Sequence, residues 1–202
     1  MKLFFIIILT SITSVTFAQT KDQFLAKPFE IFIDAGIGYA RSVSPGIVSG
    51  ASGGGDYTNG GISTLVRVRG SRNRFITFGL ESGWQYISHL EQRNATAAGF
   101  GNTDITATLS GIPIMGVVTI QDYHIELHAS VGFYDLISHS TTFNTPVTSS
   151  TFDMAFTLAG GYQIPMGNNY ILVPEFRWTR INDLQKSFLT LAVRLRLPPL
   201  TL

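Results

Sequence analysis

The chain has 202 residues, with 14 Lys+Arg against 13 Asp+Glu, a charged fraction of 13% and no cysteine. That fraction is about half the roughly 25% typical of soluble domains, and a net charge so close to zero gives no basis for nucleic-acid binding. Without cysteine the chain has neither a disulfide nor a lipoprotein acylation site.

The first segment is a targeting signal. Lys2, the apolar run 3–9 and the small, more polar stretch ending Thr16-Phe17-Ala18 read as a secretory signal peptide, residues 1–18, cut after Ala18. The apolar run is much too short to cross a bilayer as a helix. The mature chain is then expected to start at Gln19, and the loss of Lys2 leaves it formally neutral. Residues 19–28 form a polar lead, read as periplasmic. No later run of about 18 apolar residues follows, so low charge without helical spans points to a barrel of strands.

Residues 29–40, FEIFIDAGIGYA, set the pattern. Phe29, Ile31, Ile33, Ala35, Ile37 and Tyr39 share one face of a strand, and Glu30, Phe32, Asp34, Gly36 and Gly38 share the other. An oily face with an aromatic at each end, against a face of carboxylates and glycine, suits lipid outside and a crowded polar interior. A long loop, 41–61, follows, rich in glycine and serine. It has neither the helix start nor the lysine of a phosphate cradle.

Seven further strands repeat the scheme. Strand two, 62–70, sets Ile62, Thr64, Val66 and Val68 against Leu65, Arg67 and Arg69, and a tight turn, 71–74, ends it. Strand three, 75–88, turns Ile76, Phe78, Leu80, Trp84 and Tyr86 outward and Thr77, Gly79, Glu81, Gly83 and Gln85 inward, and a second loop spans 89–103. Strand four, 104–118, alternates until Gly111 and Pro113, where a bulge is expected to let Ile112 and Ile114 change face. After a turn at Gln121 and Asp122, strand five, 123–137, opposes Ile125, Leu127, Ala129, Val131 and Phe133 to Glu126, His128, Ser130, Gly132 and Tyr134.

The third loop, 138–151, is full of threonine and serine, so its flanking strands are expected to continue as a protruding hairpin, with Pro146 limiting the pairing. Strand six, 152–165, carries Phe152, Met154, Phe156, Leu158 and Tyr162 opposite Asp153, Thr157, Gly161 and Gln163. A turn at 166–169 leads to strand seven, 170–180, where Leu172, Phe176 and Trp178 oppose Glu175 and Arg177. A short fourth loop precedes strand eight, 187–197, with Leu189, Leu191, Val193, Leu195 and Leu197 against Thr190, Ala192, Arg194 and Arg196. Residues 198–202 are a C-terminal tail.

Alternation fits a soluble secreted barrel as well as a membrane barrel. Three features favour the membrane: connections mostly alternate long and short, charge is low, and aromatics collect at both strand ends. Tyr39, Trp84, Tyr86, Phe133, Phe152 and Trp178 form one expected girdle, and Phe29, Phe75, Tyr123, Tyr162 and Tyr170 the other. The fold class is therefore all-β, an eight-stranded antiparallel up-and-down transmembrane β-barrel spanning 29–197. Long loops are expected outside the cell and both termini in the periplasm.

The stretch LSGIPIMGVV from Leu109, with GGYQIP and EFRW in strands six and seven, resembles the small porin-like outer-membrane β-barrel family of Gram-negative bacteria, of the OmpA and OmpX type. The resemblance implies an eight-stranded barrel and little about activity. Members commonly end on an aromatic residue read by the insertion machinery, whereas here residues 198–202 follow the last strand.

The lumen-facing titratable groups are Glu30, Asp34, Glu81, Glu126, Asp153 and Glu175 against Arg67, Arg69, Arg177, Arg194 and Arg196, with His128 among them. Such groups need partners inside a narrow barrel, so a salt-bridged plug is favoured over a solute path. Glu30 is expected to pair with Arg67, Arg69, Arg194 or Arg196 where the barrel closes. Glu126, His128 and Ser130 offer a remote lipid A hydrolase reading, with Ser130 as nucleophile. His89, His124 and His139 have no second ligand at a recognisable spacing, and Asp56 with Asn59 falls short of a calcium shell. No catalytic, metal or cofactor site is expected. The function expected is a non-enzymatic, monomeric barrel in outer-membrane lipids, whose loops bind an extracellular protein or polysaccharide or serve a structural role. A narrow channel is the alternative.

Overall fold

The computed structural model describes residues 28–43, 56–72, 75–97, 101–142, 145–182, 184 and 186–202. The expected signal peptide, nearly all of the polar lead and most of the glycine-rich loop lie outside these residues. Eight long strands form a wall: β1 Glu30–Ser42, β2 Gly60–Ser71, β3 Ile76–Ala97, β4 Gly101–Asp122, β5 Ile125–Thr142, β6 Thr145–Tyr162, β7 Ile171–Ile181 and β8 Lys186–Arg196. Each pairs antiparallel with the next, and β8 also pairs with β1, so the sheet closes on itself. This is an all-β, eight-stranded up-and-down transmembrane barrel.

The alternation of the sequence becomes an inside and an outside, and the two are inverted relative to a soluble protein. Leu80, Leu191 and Ile37 are 69%, 68% and 60% exposed, while Asp34, Arg67 and Arg194 are fully buried. Among the described residues no Asp, Glu, Lys or Arg stands on the outward face in the middle of the wall. Water would solvate such an exterior poorly, whereas hydrocarbon does so without cost, and the closed sheet leaves no unpaired strand edge in the band. The aromatic residues Phe29, Tyr39, Phe75, Trp84, Phe133, Phe152, Tyr162 and Tyr170 are all exposed on this outside. Tyr86 and Trp178 are partly covered, by the Trp84 ring 6.1 Å away and the Phe156 ring 5.1 Å away respectively.

Three sequence expectations are corrected. The second loop, 89–103, is mostly strand: β3 runs on to Ala97 and pairs with β4 from Gly101, His89 lying opposite Thr108 and Ala97 opposite Gly101. Thr103, Thr106 and Thr108 of β4 give the partner strand β-branched positions that favour this pairing beyond the barrel. Second, β4 has no break at Gly111 or Pro113, and its pairing with β5 is unshifted from Ile105 to Asp122. The irregularities lie in β3, between Tyr86 and Ser88 and between Gln92 and Ala95. Ile112 and Ile114 keep the face of Thr106, Thr108 and Ser110; the surroundings change, because the strand enters the apolar band there. Third, Pro146 does not end the third hairpin, since Thr141 still pairs with Pro146 and Thr142 with Thr145. β7 joins β6 only from Ala155 onward, so Pro146 sits on an edge strand, where a missing N–H is tolerated.

Beyond the barrel, β3 to β6 therefore continue as a sheet. A short strand, Asp56–Thr58, pairs with His89–Glu91 on its β3 side. Residues 145–152 are exposed on both faces. At the other end the tail is structured as well, with Leu200–Thr201 paired to Glu30 and Ile31 of β1.

Candidate functional site

The lumen is the site where chemistry-bearing residues meet. Register decides which ones. Asp34 lies opposite Arg67 on β2 and Arg196 on β8, so its inward side chain drops between the arginines of both neighbours. Its Oδ2 accepts a hydrogen bond from Arg69 Nη2 at 2.7 Å, its Oδ1 accepts one from Arg196 Nε at 2.8 Å, and Arg194 Nη1 stands 3.0 Å from Oδ2. The closure pairing expected of Glu30 is thus centred on Asp34. Glu30 is half-buried nearer the turn end, opposite Ser71 and Thr201.

The other carboxylates bridge the barrel rather than neighbouring strands alone. Glu81 Oε2 accepts from Arg67 Nε at 2.8 Å and Nη2 at 2.5 Å, a fork from the adjacent strand. Its Oε1 accepts from Arg177 Nη2, which reaches over from β7 on the opposite side of the wall. Glu126 accepts from Arg194 and Arg196 of β8 and from Gln163 Nε2 at 3.2 Å. Glu175 Oε2 accepts from Arg194 Nε at 2.5 Å and stands 3.3 Å from His128 Nε2, which is itself 3.0 Å from Arg67 Nη2. Room for these long side chains comes from small inward residues opposite them: Ala159 pairs with Arg177, and Gly161 and Ala192 pair with Glu175. Charge-assisted bonds to dehydrated guanidinium groups are strong, and each carboxylate removed would leave an uncompensated charge.

Asp153 is buried at the loop end, apart from this layer, and its Oδ2 accepts from the Leu184 N–H at 3.2 Å. It shapes the last connection. Above the charges lies a layer that sequence reading missed: Ile87, Met115, Tyr134, Leu136, Ala155, Ile181 and Phe188 pack together inside the lumen. Phe188 and Met115 have the same parity as Arg194 and Thr119 on their strands, a signal that could have placed them inward. Tyr134 ties the two layers by donating to Gln85 Oε1 at 3.1 Å.

The remaining candidates do not assemble chemistry. Ser130 Oγ and His128 Nδ1 are buried without a hydrogen-bond partner, so the histidine does not hold the hydroxyl as a base holds a nucleophile. His89 and His139 each contact a threonine across a hairpin, Thr108 at 3.0 Å and Thr148 at 2.9 Å, and His124 stacks on Tyr162 with 5.6 Å between rings. Glu126, His128 and Glu175 do bring three possible ligand atoms within 4.8 Å of one another, a cluster the sequence reading did not weigh. Arg67, Arg177 and Arg194 already lie against these groups. A metal ion there would face guanidinium repulsion, so the cluster suits arginines better than a cation.

No protein-family model and no curated protein matches the chain. Among solved structures it is similar to Ail, the attachment invasion locus protein of Yersinia pestis, at 9% identity and TM-score 0.44, covering 85% of this chain and 99% of that one. Ail in complex with the heparin analogue sucrose octasulfate matches at 8% identity, TM-score 0.46, over 85% and 99%. Neisserial surface protein A matches at 12% identity, TM-score 0.45, over 84% and 96%.

Proposed function

We propose that the chain is a non-enzymatic, non-conducting barrel of the Gram-negative outer membrane that displays a rigid sheet to the cell exterior, where it binds an extracellular protein or polysaccharide. The observation that carries this reading is the extension of β3 to β6 beyond the barrel, with residues 145–152 exposed on both faces. Strands that run past their own core bury nothing of their own, and a continuous ladder holds them in one orientation relative to the membrane. The long connections face the exterior and the termini the periplasm, after removal of residues 1–18. The aromatic residues at the two ends of the wall serve as interfacial girdles, and the barrel works as a monomer.

The filled lumen supports a scaffold over a channel. Arg177 bridges to Glu81 across the barrel, and Phe188 and its neighbours pack above. Eight-stranded barrels have interiors just wide enough for side chains to fill. The reading is tested on vesicles bearing the refolded chain, scored for adhesion to protein-coated and polysaccharide-coated surfaces. Replacing residues 140–149 and 92–104 by short turns is expected to abolish adhesion while the barrel still folds. Adhesion undiminished in that variant would overturn the reading.

A further inference from the structure

The turn end of the barrel opens into a vestibule of about 650 Å³, within the roughly 300–1,000 Å³ of ligand pockets. Its floor is polar and buried: Arg196 is 2% and Gln163 8% exposed. Arg196 Nη1 donates to Gln121 Oε1 at 3.3 Å, and Gln163 Nε2 donates to Glu126 Oε2 at 3.2 Å. Each bond engages one end of a carboxamide, a group that carries both donors and acceptor. The rim is aromatic, with Phe75, Tyr123 and Tyr170 among the lining residues.

Tyr123 is the informative member. It is 91% exposed and holds φ at 32°, a left-handed conformation that is costly for a bulky side chain and that no packing of its own repays. Strain kept at an exposed aromatic points to use. Across the mouth stands the turn Gly167–Asn169, where Asn168 and Asn169 adopt φ of 61° and 63°, a conformation asparagine tolerates. Two tight turns thus frame one opening.

Charge narrows the ligand class. Among the described lining residues the one cation, Arg196, is already neutralised by Asp34 and Glu126, and the other ionised group is the carboxylate of Asp122. A phosphate or carboxylate ligand would meet a satisfied guanidinium and a like charge at the rim. A neutral ligand with many hydroxyl groups and apolar ring faces would meet carboxamides below and aromatic faces around it. We propose that the turn-end vestibule is a binding site for a neutral sugar, recognised by Gln121 and Gln163 at the floor and by Tyr123 and Tyr170 at the rim. The site is independent of whatever the protruding sheet binds.

The test uses the full mature chain refolded into nanodiscs, which leave both ends open. Cellobiose, maltose and N,N′-diacetylchitobiose are titrated in turn, with glucose 6-phosphate as the anionic control, and backbone and side-chain amide shifts are followed by NMR. The proposal expects saturable shifts for at least one disaccharide, confined to residues 121–123 and 163–171, and weaker binding of the phosphate. Losing one aromatic face should raise the Kd about tenfold in Tyr123→Ala, with a loss of the same kind in Tyr170→Ala. Folding of both variants is checked by the gel-mobility difference between unheated and boiled samples. Three results would overturn the site: no saturable turn-end shift with any of the disaccharides, binding of glucose 6-phosphate as tight as theirs, or an unchanged Kd in both folded variants.

Discussion

Neutralising Asp34 by Asp34→Asn keeps the side-chain shape and removes the charge that Arg69, Arg194 and Arg196 share. Hydrogen bonds to charged groups contribute roughly 1.5–3 kcal/mol each, and two such bonds plus the Arg194 contact end on this carboxylate. The sum is an upper bound, because Asn retains one oxygen acceptor. Its new NH2, however, points donors at guanidinium donors, and Asp34, Arg69 and Arg194 have no solvent-exposed side-chain surface to relieve the conflict. Breaking a buried pair on one side typically costs about 3–5 kcal/mol, and that is the loss of unfolding free energy expected here. The assay is reversible guanidinium unfolding of the barrel in lipid bilayers. Asp34→Asn combined with Arg69→Gln should recover part of the loss, since removing both members of a buried pair is far gentler than removing one. A loss below about 1 kcal/mol for the single variant, or a double variant no more stable than the single, would refute the assignment of Asp34 as the centre of the seam.

The apolar layer makes a separate prediction: Phe188→Ala, at a fully buried position, should lower unfolding free energy by about 3–5 kcal/mol in the same assay. Gly83→Ala should cost about 1–3 kcal/mol, because a Cβ there would lie 2.0 Å from the Thr64 carbonyl oxygen of the neighbouring strand; stability equal to the parent would mean the strands can separate freely. In planar bilayers the refolded chain should give no discrete conductance steps, and reproducible steps would turn the lumenal arginines into a selectivity path. Shortening the third hairpin by replacing residues 140–149 should leave the unfolding midpoint of the barrel within experimental error, since those residues lie outside the buried layers.

The strand phase was legible in the sequence because each strand meets lipid on one side and packed side chains on the other, so that period two holds through the barrel wall until the β3 irregularity after Tyr86. Inward placement of Asp34, Glu81, Glu126, His128, Glu175 and the five arginines could be read the same way. Which acid meets which arginine could not, because the stagger between strands, rather than their faces, brings Arg177 to Glu81 and carries the seam from Glu30 to Asp34. Strand ends were obscured for a different reason. Past the barrel wall residues 145–152 of β6 are exposed on both faces and 105–110 of β4 are half-buried on both, so the alternation fades and threonine-rich strand reads like loop. Phe188 and Met115 were hidden by the assumption that a lumen is polar throughout.

The Arg196–Asp34 bond spans 162 positions, and the tail beyond it pairs with the opening of β1. Joining ends that far apart in a flexible chain carries an entropic cost on the order of 4–5 kcal/mol, which none of the local hairpins faces. The seven pairings between consecutive strands can therefore form early, while the seam waits for the last residues of the chain. Until it closes, β1 and β8 each present an open edge able to recruit another chain. Assembly is accordingly all-or-nothing at its last step: a truncation that removes β8 yields an unsealed sheet prone to aggregate, rather than a smaller version of the same barrel.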